Sequence, residues 1–141
     1  MELRDYLMPD EYIVSVTEGH YEISSEKYNR IAITNKRILI YNEKPKLGIL
    51  RGGRGDIKSI RSWHLNTIDH VEINLKERVP LAMVFKHQPA VWIRLKNRES
   101  ILIWISKWDA LNDFNKLQSA FESAAKKIEE MKFLERYKYY F

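Results

Sequence analysis

The hydrophobic period of this chain changes once, near Trp108. Before that point, apolar residues form short runs or alternate with polar ones, as Val91 and Ile93 do, which is typical of β-strands. After it, apolar residues recur every three or four positions, as on one face of an α-helix: Leu111, Phe114, Leu117, Phe121, Ala124 and Ile128. The sequence therefore predicts a mainly β fold of about seven strands with one long C-terminal α-helix.

Turn residues divide the first part of the chain into strands. The clearest hairpin joins strands at 30–33 and 37–41, because Asn35 between them tolerates the positive φ of a tight turn. An apolar patch at 81–85 is consistent with a short extra strand, and the glycine-rich stretch 43–58 is predicted to form a loop. The remaining predicted strands lie at 12–16, 59–65, 68–75, 91–96 and 101–105.

Length and composition favour a single domain over residues 1–141, with the strands at about 7–106 and the helix and tail at about 107–141. The absence of cysteine excludes disulfides, thiol nucleophiles and cysteine-ligated metal sites. The longest aliphatic and aromatic run, 101–105, is far short of the roughly 18 residues that span a bilayer. With no signal peptide at the N-terminus, we expect a cytoplasmic protein, at most peripheral to a membrane.

Four segments, in their order along the chain, carry a resemblance to a known superfold. They are LMPDEYI at 7–13, IAITNKRI at 31–38, IDHVEI at 68–73, and a closing hairpin at 91–105 followed by the helix. Together they resemble the pleckstrin-homology-like superfold, in its prokaryotic PH-domain and GRAM-like branches. The resemblance covers about residues 7 to 125. It implies a barrel of two nearly orthogonal sheets capped by the helix, and a binding module rather than an enzyme.

One departure from that superfold concerns the first loop. Members that bind phosphoinositides carry basic residues there, whereas this chain has Glu18, Glu22 and Glu26 with only Lys27. The resemblance therefore does not imply a phosphoinositide site, and the site has to be argued from the residues themselves.

Positive charge is concentrated in residues 44–61. This segment has six cations and one acid, an excess equal to the net charge of +5 on the whole chain. Such a concentration attracts anions, and three glycines at 52–55 let a ligand approach the backbone. We interpret the segment as an anion-binding site for a protein partner or a membrane surface, or alternatively as the phosphate-contacting site of a nucleic-acid-binding protein. The bland interpretation is a solvated charged loop. The six cations are Lys44, Lys46, Arg51, Arg54, Lys58 and Arg61.

Trp63, which follows the basic segment, bears on the nucleic-acid alternative. An aromatic ring beside positive charge can stack on a base. A half-buried position in the wall of the barrel is the commoner role of such a tryptophan.

The sequence contains no recognisable catalytic or metal-binding motif. Two pairs could share a strand face, His20 with Glu22 and His70 with Glu72, but each falls short of the three or four ligands of a zinc site. Neither a nucleophile elbow nor a phosphate-binding glycine loop occurs. We expect no catalytic residue, metal, cofactor or small-molecule substrate.

The apolar stripe of the helix continues beyond Ile128. A helix over 108–141 would be about 50 Å long, longer than a barrel of roughly 30 Å can cover. We therefore expect a homodimer formed through the exposed end. The alternatives are a chain that turns near residue 131 and folds back, and an anchor at a membrane interface. The predicted self-association residues are Met131, Leu134, Tyr137 and Phe141.

Overall fold

The computed structural model describes residues 2–44, 56–81, 84–106 and 110–137. Their main elements are seven antiparallel strands and one long helix. Short 3₁₀ helices lie at Leu3–Tyr6 and Leu65–Thr67. The mainly β fold with one C-terminal helix is thus confirmed. The elements are β1 (Ile13–Ile23), β2 (Glu26–Thr34), β3 (Arg37–Lys44), β4 (Asp56–His64), β5 (Ile68–Leu81), β6 (Val84–Leu95), β7 (Ser100–Ile105) and α1 (Ala110–Tyr137).

All seven strands belong to one sheet, in the order β4-β3-β2-β1-β7-β6-β5. β1 joins the two halves, because it pairs with β2 over most of its length and with β7 through Tyr21 and Glu22. β4 and β5 lie at the two edges, and within the described residues no ladder joins them.

The predicted loop at 43–58 is partly wrong. β3 runs on to Lys44 and β4 begins at Asp56, which lies opposite Lys44. The pairing extends because β3 offers β4 a continuous edge, a long-range feature that local glycine content does not reveal. Lys44 and Lys58 consequently lie near strand ends, and Arg61 lies within β4 opposite Ile40. Outside the described residues lie the other three cations of the predicted site: Lys46, Arg51 and Arg54.

The apolar patch at 81–85 is part of β5 and β6, not a separate short strand. Leu81 pairs with Val84, and Pro80 with Phe85. Proline is tolerated at position 80 because β5 is an edge strand, where a missing backbone donor need not break a ladder.

One large hydrophobic cluster, the main core, joins the sheet to α1. Buried residues of this core come from the second 3₁₀ helix and from six strands, which are β1, β2, β3, β5, β6 and β7. Ile68 is the buried residue that β5 contributes. The helix packs through the predicted apolar stripe from Leu117 to Ile128, and the stripe residues Leu111 and Phe114 lie outside the part of the chain whose side chains the structure describes. Among the described residues, no helix combines the length and hydrophobicity that crossing a bilayer requires. The buried residues of α1 in this core are Leu117, Ala120, Phe121, Ala124 and Ile128.

A smaller cluster covers the opposite face of the sheet. Leu39 and Tyr41 belong to it, whereas Ile38 and Ile40 point into the main core, as alternation along a strand requires. Leu3 of the N-terminal 3₁₀ helix packs against this second face. The N-terminal segment therefore needs a firm attachment to the strands it covers.

Glu11 and Arg37 form that attachment. Nε and Nη2 of Arg37 donate to Oε2 and Oε1 of Glu11 at 2.9 and 2.8 Å. Thr34 Oγ1 donates to Oε2 at 2.6 Å, and the Met8 backbone N–H donates to Oε1 at 2.8 Å. Burial alone would raise the pKa of Glu11, but the hydrogen bonds it accepts outweigh burial and lower that pKa from 4.5 to about 2.

The turn between β2 and β3 strengthens the same attachment. Asn35 Oδ1 accepts the Tyr12 backbone N–H at 2.8 Å, and Asn35 Nδ2 donates to the Asp10 carbonyl at 3.0 Å. Lys36 Nζ donates to the Pro9 carbonyl at 3.0 Å. The segments 7–13 and 31–38, which carry two parts of the sequence resemblance, thus bind each other.

Replacing Glu11 with glutamine should strongly destabilise the fold. The change removes a buried charge and leaves the Arg37 guanidinium, whose side chain is only 12% exposed, without its counter-charge. We expect the free energy of unfolding in urea to fall by about 3–5 kcal/mol. As a matched control, Glu72→Gln breaks the exposed pair with Arg94 and should cost about 0–1 kcal/mol. Equal losses in the two variants would contradict this account.

The same carboxylate predicts a pH dependence. Because the pKa of Glu11 is about 2 in the folded chain and 4.5 ordinarily, its stabilisation is complete above pH 4.5 and is lost as the pH falls through about 2. The stability difference between the native chain and Glu11→Gln should therefore shrink over that window. Urea unfolding at a series of pH values measures it, and a difference that stays constant down to pH 2 would refute the assignment.

Candidate functional site

Lys44 and Lys58, two of the three described cations of the predicted anion site, lie at one end of the sheet, and Arg61 lies further along β4. Antiparallel strands alternate in direction, so the end of β3, the start of β4 and the β1–β2 turn share that end. Asn42 of β3 lies opposite Lys58 of β4, and its Nδ2 donates to the Lys27 carbonyl of β2 at 2.8 Å. We call the group Lys27, Lys44, Lys58 and Arg61 the basic end.

The three lysines of the basic end are exposed and have no carboxylate partner among the described residues. Arg30, on the neighbouring part of β2, differs in this respect. It pairs with Glu18 at 2.9 Å and with Glu43 at 3.2 Å, so its charge is already compensated. The free positive charge at this end therefore comes from the lysines. The sequence assigned no role to Lys27; only the pairing of β2 with β3 brings it here.

Arg61 lies at a shallow recess beside these lysines. Lys27, Ser59 and Ile60 also line it, together with Glu26 and Tyr28. The Tyr28 hydroxyl donates to the Glu26 carboxylate, and burial together with this bond raises the pKa of Tyr28 against the opposing charge of Arg61. Because the recess contains a carboxylate, it is poorly suited to a compact, highly charged anion.

Trp63 is half-buried on β4, as its sequence context favours. It packs against the main core, and the guanidinium carbon of Arg61 lies 5.3 Å from the centre of its ring. The core and Arg61 thus engage the ring, which leaves little of it for stacking on a nucleic-acid base.

Arg61 also lines a second recess, together with Trp92 of β6 and Ile101 of β7. Trp92 is half-buried, with the guanidinium carbon of Arg94 4.2 Å from its ring centre. The two recesses place side chains from both halves of the sheet around Arg61.

The C-terminal end of α1 exposes large apolar side chains. Phe133, Leu134 and Tyr137 are 56%, 66% and 44% exposed, and the rings of Phe133 and Tyr137 lie 4.3 Å apart between centroids. Met131, by contrast, is partly buried against the main core. Met131, one of the predicted self-association residues, thus lies where the helix still contacts the core, whereas Leu134 and Tyr137 lie beyond it in solvent. Phe141 lies outside the described residues.

The length of α1 bears on the alternative in which the chain turns near residue 131 and folds back. α1 continues through residue 131 to Tyr137, so a chain that turns back near residue 131 is wrong. Phe133 is not among the predicted residues, because it lies off the apolar stripe that continues from the core.

A separate charged cluster surrounds His70 near the start of β5. Its Nδ1 lies 2.6 Å from Asp69 Oδ2, and its Nε2 lies 2.9 Å from Glu72 Oε1. Hydrogen bonds to Asp69 and then to Glu72 raise the pKa of His70. Lys132 of α1 lies 3.6 Å from Asp69, and Arg94 lies 3.1 Å from Glu72. Across the described ranges, no group of three or more His, Asp or Glu side chains could hold a metal ion.

This cluster gives a pH prediction of opposite sign to that of Glu11. Because the pKa of His70 is raised above 6.5, its contribution to stability is complete below pH 6.5 and is lost as the pH rises through the folded-state pKa. In an NMR titration, Asp69→Asn should move the His70 midpoint down toward 6.5 and flatten the loss of stability. Identical midpoints in the native chain and the variant would show that Asp69 does not hold the proton.

No relative indicates what the chain does. No protein-family model matches it, and no curated protein matches it either. The evidence for function is therefore the placement of charge and apolar surface described above.

Proposed function

We propose that this chain is a non-catalytic interaction module whose basic end binds an anionic membrane surface. The observation that carries the proposal is the set of exposed lysines without carboxylate partners at one end of the described sheet: Lys27, Lys44 and Lys58. A lysine near an anionic lipid surface contributes about 1 kcal/mol, so three on one end supply a measurable, salt-sensitive attraction. The sequence between Lys44 and Asp56 adds three more cations to this charge.

A broad surface suits the basic end better than a compact ligand does. Lysines are flexible point charges that follow a diffuse field, and they need no shaped pocket. The carboxylate of Glu26 in the adjoining recess opposes the entry of a multiply charged headgroup. Trp63 is engaged by Arg61 and the core, which weakens the case for base stacking in the alternative, a nucleic-acid-binding protein.

We further propose that the sheet curves into the barrel of the pleckstrin-homology-like superfold, capped by α1. Arg61 of β4 and Trp92 of β6 line one recess, although five strand spacings separate their strands in the sheet order. In a flat sheet these strands would be about 24 Å apart, at roughly 4.8 Å per spacing. The main core, which collects residues from both halves of the sheet, supports the same curvature.

Vesicle sedimentation tests the function directly. We expect the chain to bind phosphatidylcholine vesicles that contain phosphatidylserine, to ignore vesicles of phosphatidylcholine alone, and to dissociate as salt is raised. Lys44→Glu combined with Lys58→Glu should weaken binding at least about tenfold, because two attractive charges become repulsive. The matched control is Lys116→Glu with Lys127→Glu, which makes the same change of net charge at exposed positions of α1.

Three outcomes would overturn the membrane assignment. One is equal loss in the two double variants, which would mean that only net charge matters. Another is tighter binding to duplex or single-stranded DNA at the same salt, lost in the β3–β4 variant, which would favour the nucleic-acid alternative. The third is no binding to either probe at low salt. Circular dichroism of each variant confirms that the fold is intact.

A further inference from the structure

The exposed face of α1 near its C-terminal end is opposite the face that packs on the sheet. Phe133 lies nine residues after Ala124, which is 1% exposed in the main core. Nine residues make two and a half turns, so the two side chains project from opposite sides of the helix. Tyr137, one turn further on, stacks on Phe133. Phe133 therefore projects away from the main core, and it forms an exposed aromatic pair with Tyr137.

Two exposed charges flank this pair on one side. Glu129 and Arg136 are seven residues apart, close to two full turns, so they lie in line along the helix beside Phe133. Glu129 contacts Lys132 at 3.6 Å, and Arg136 has no carboxylate partner among the described residues. The face thus presents an acid before Phe133 and a base after it.

This order of charges is complementary to itself when two helices run antiparallel. A two-fold axis close to Phe133 places residues on the same flank opposite each other, with positions that add to a constant. Arg136 then meets the partner's Glu129, and Glu129 meets the partner's Arg136, while the two Phe133 rings face each other at the centre. In a parallel two-fold pair, the flank that carries these charges lies on opposite sides of the contact in the two copies, so Glu129 and Arg136 would not meet.

We propose that two copies of this chain associate through this face, with their α1 helices antiparallel about a two-fold axis near Phe133. The aromatic pair supplies the apolar contact, and the two reciprocal Glu129–Arg136 pairs fix the direction. The contact is small, so the dimer is weak and depends on concentration.

The dimer leaves the basic end free. Lys132 and Glu135 of α1 lie beside Asp69 at the start of β5 and Lys96 at the end of β6. These strand ends are at the side of the sheet away from Lys44 and Lys58, because β4 leads from the basic end to the second 3₁₀ helix and then to β5. The inference therefore stands independently of membrane binding.

A charge-swap series in sedimentation velocity tests the proposal. The native chain should shift from monomer to dimer as its concentration rises. Arg136→Glu and Glu129→Arg should each weaken association at least about tenfold, because both reciprocal pairs become repulsive. The double variant Glu129→Arg/Arg136→Glu should restore it. Phe133→Ser should abolish it, and Glu122→Arg, an exposed change about three turns away, should have no effect.

The series can also refute the dimer. A native chain that stays monomeric at millimolar concentration overturns the proposal, and so does a dimer that persists in Phe133→Ser. Failure of the double swap to rescue overturns the antiparallel pairing. If Phe133→Ser instead removes binding to phosphatidylserine vesicles while the native chain remains monomeric, the face is a membrane anchor. Every substituted residue is exposed, and circular dichroism checks that each variant folds.

Discussion

The buried ion pair between Glu11 and Arg37 joins parts of the chain that are 26 residues apart. Its carboxylate accepts hydrogen bonds from a guanidinium, a hydroxyl and a backbone N–H, which together offset the cost of removing the charge from water. Arg37 Nη2 also donates to the Tyr6 carbonyl, so the same guanidinium holds the N-terminal segment over the second face of the sheet. Without this attachment, the small cluster around Leu39 and Tyr41 would lose its cover.

Local signals predicted the elements whose formation is local. The β2–β3 turn follows from Asn35, and the buried stripe of α1 follows from its three- and four-residue spacing. The strand predicted at 12–16 is longer in the structure, where β1 runs from Ile13 to Ile23, and its end was not predicted because Ser24 and Ser25, both with positive φ, form the turn instead of the usual asparagine and glycine. The ends of β3 and β4, and the Glu11–Arg37 pair, depend on partners distant in sequence, which no periodicity reveals.

The candidate site was predictable to the same degree. A run of like charge indicated Lys44, Lys58 and Arg61, but pairing with β3 was needed to add Lys27 and to show that Arg30 is neutralised by Glu18 and Glu43. On α1, the continuing stripe indicated Leu134 and Tyr137. It could not show that Met131 still packs against the core, and it did not indicate Phe133, which projects from the opposite side of the helix into solvent. The two surfaces lie at different ends of the sheet, one charged and one apolar.

Of the two surfaces, the basic end is the one that we propose meets an anionic membrane. The most direct measurement is the NMR spectrum of the isotope-labelled chain as nanodiscs containing phosphatidylserine are added. We expect the backbone signals of Lys27, Lys44 and Lys58 to weaken first, while those of residues 133–137 change little. Attenuation centred on Phe133 and Tyr137, or spread evenly over the chain, would contradict it.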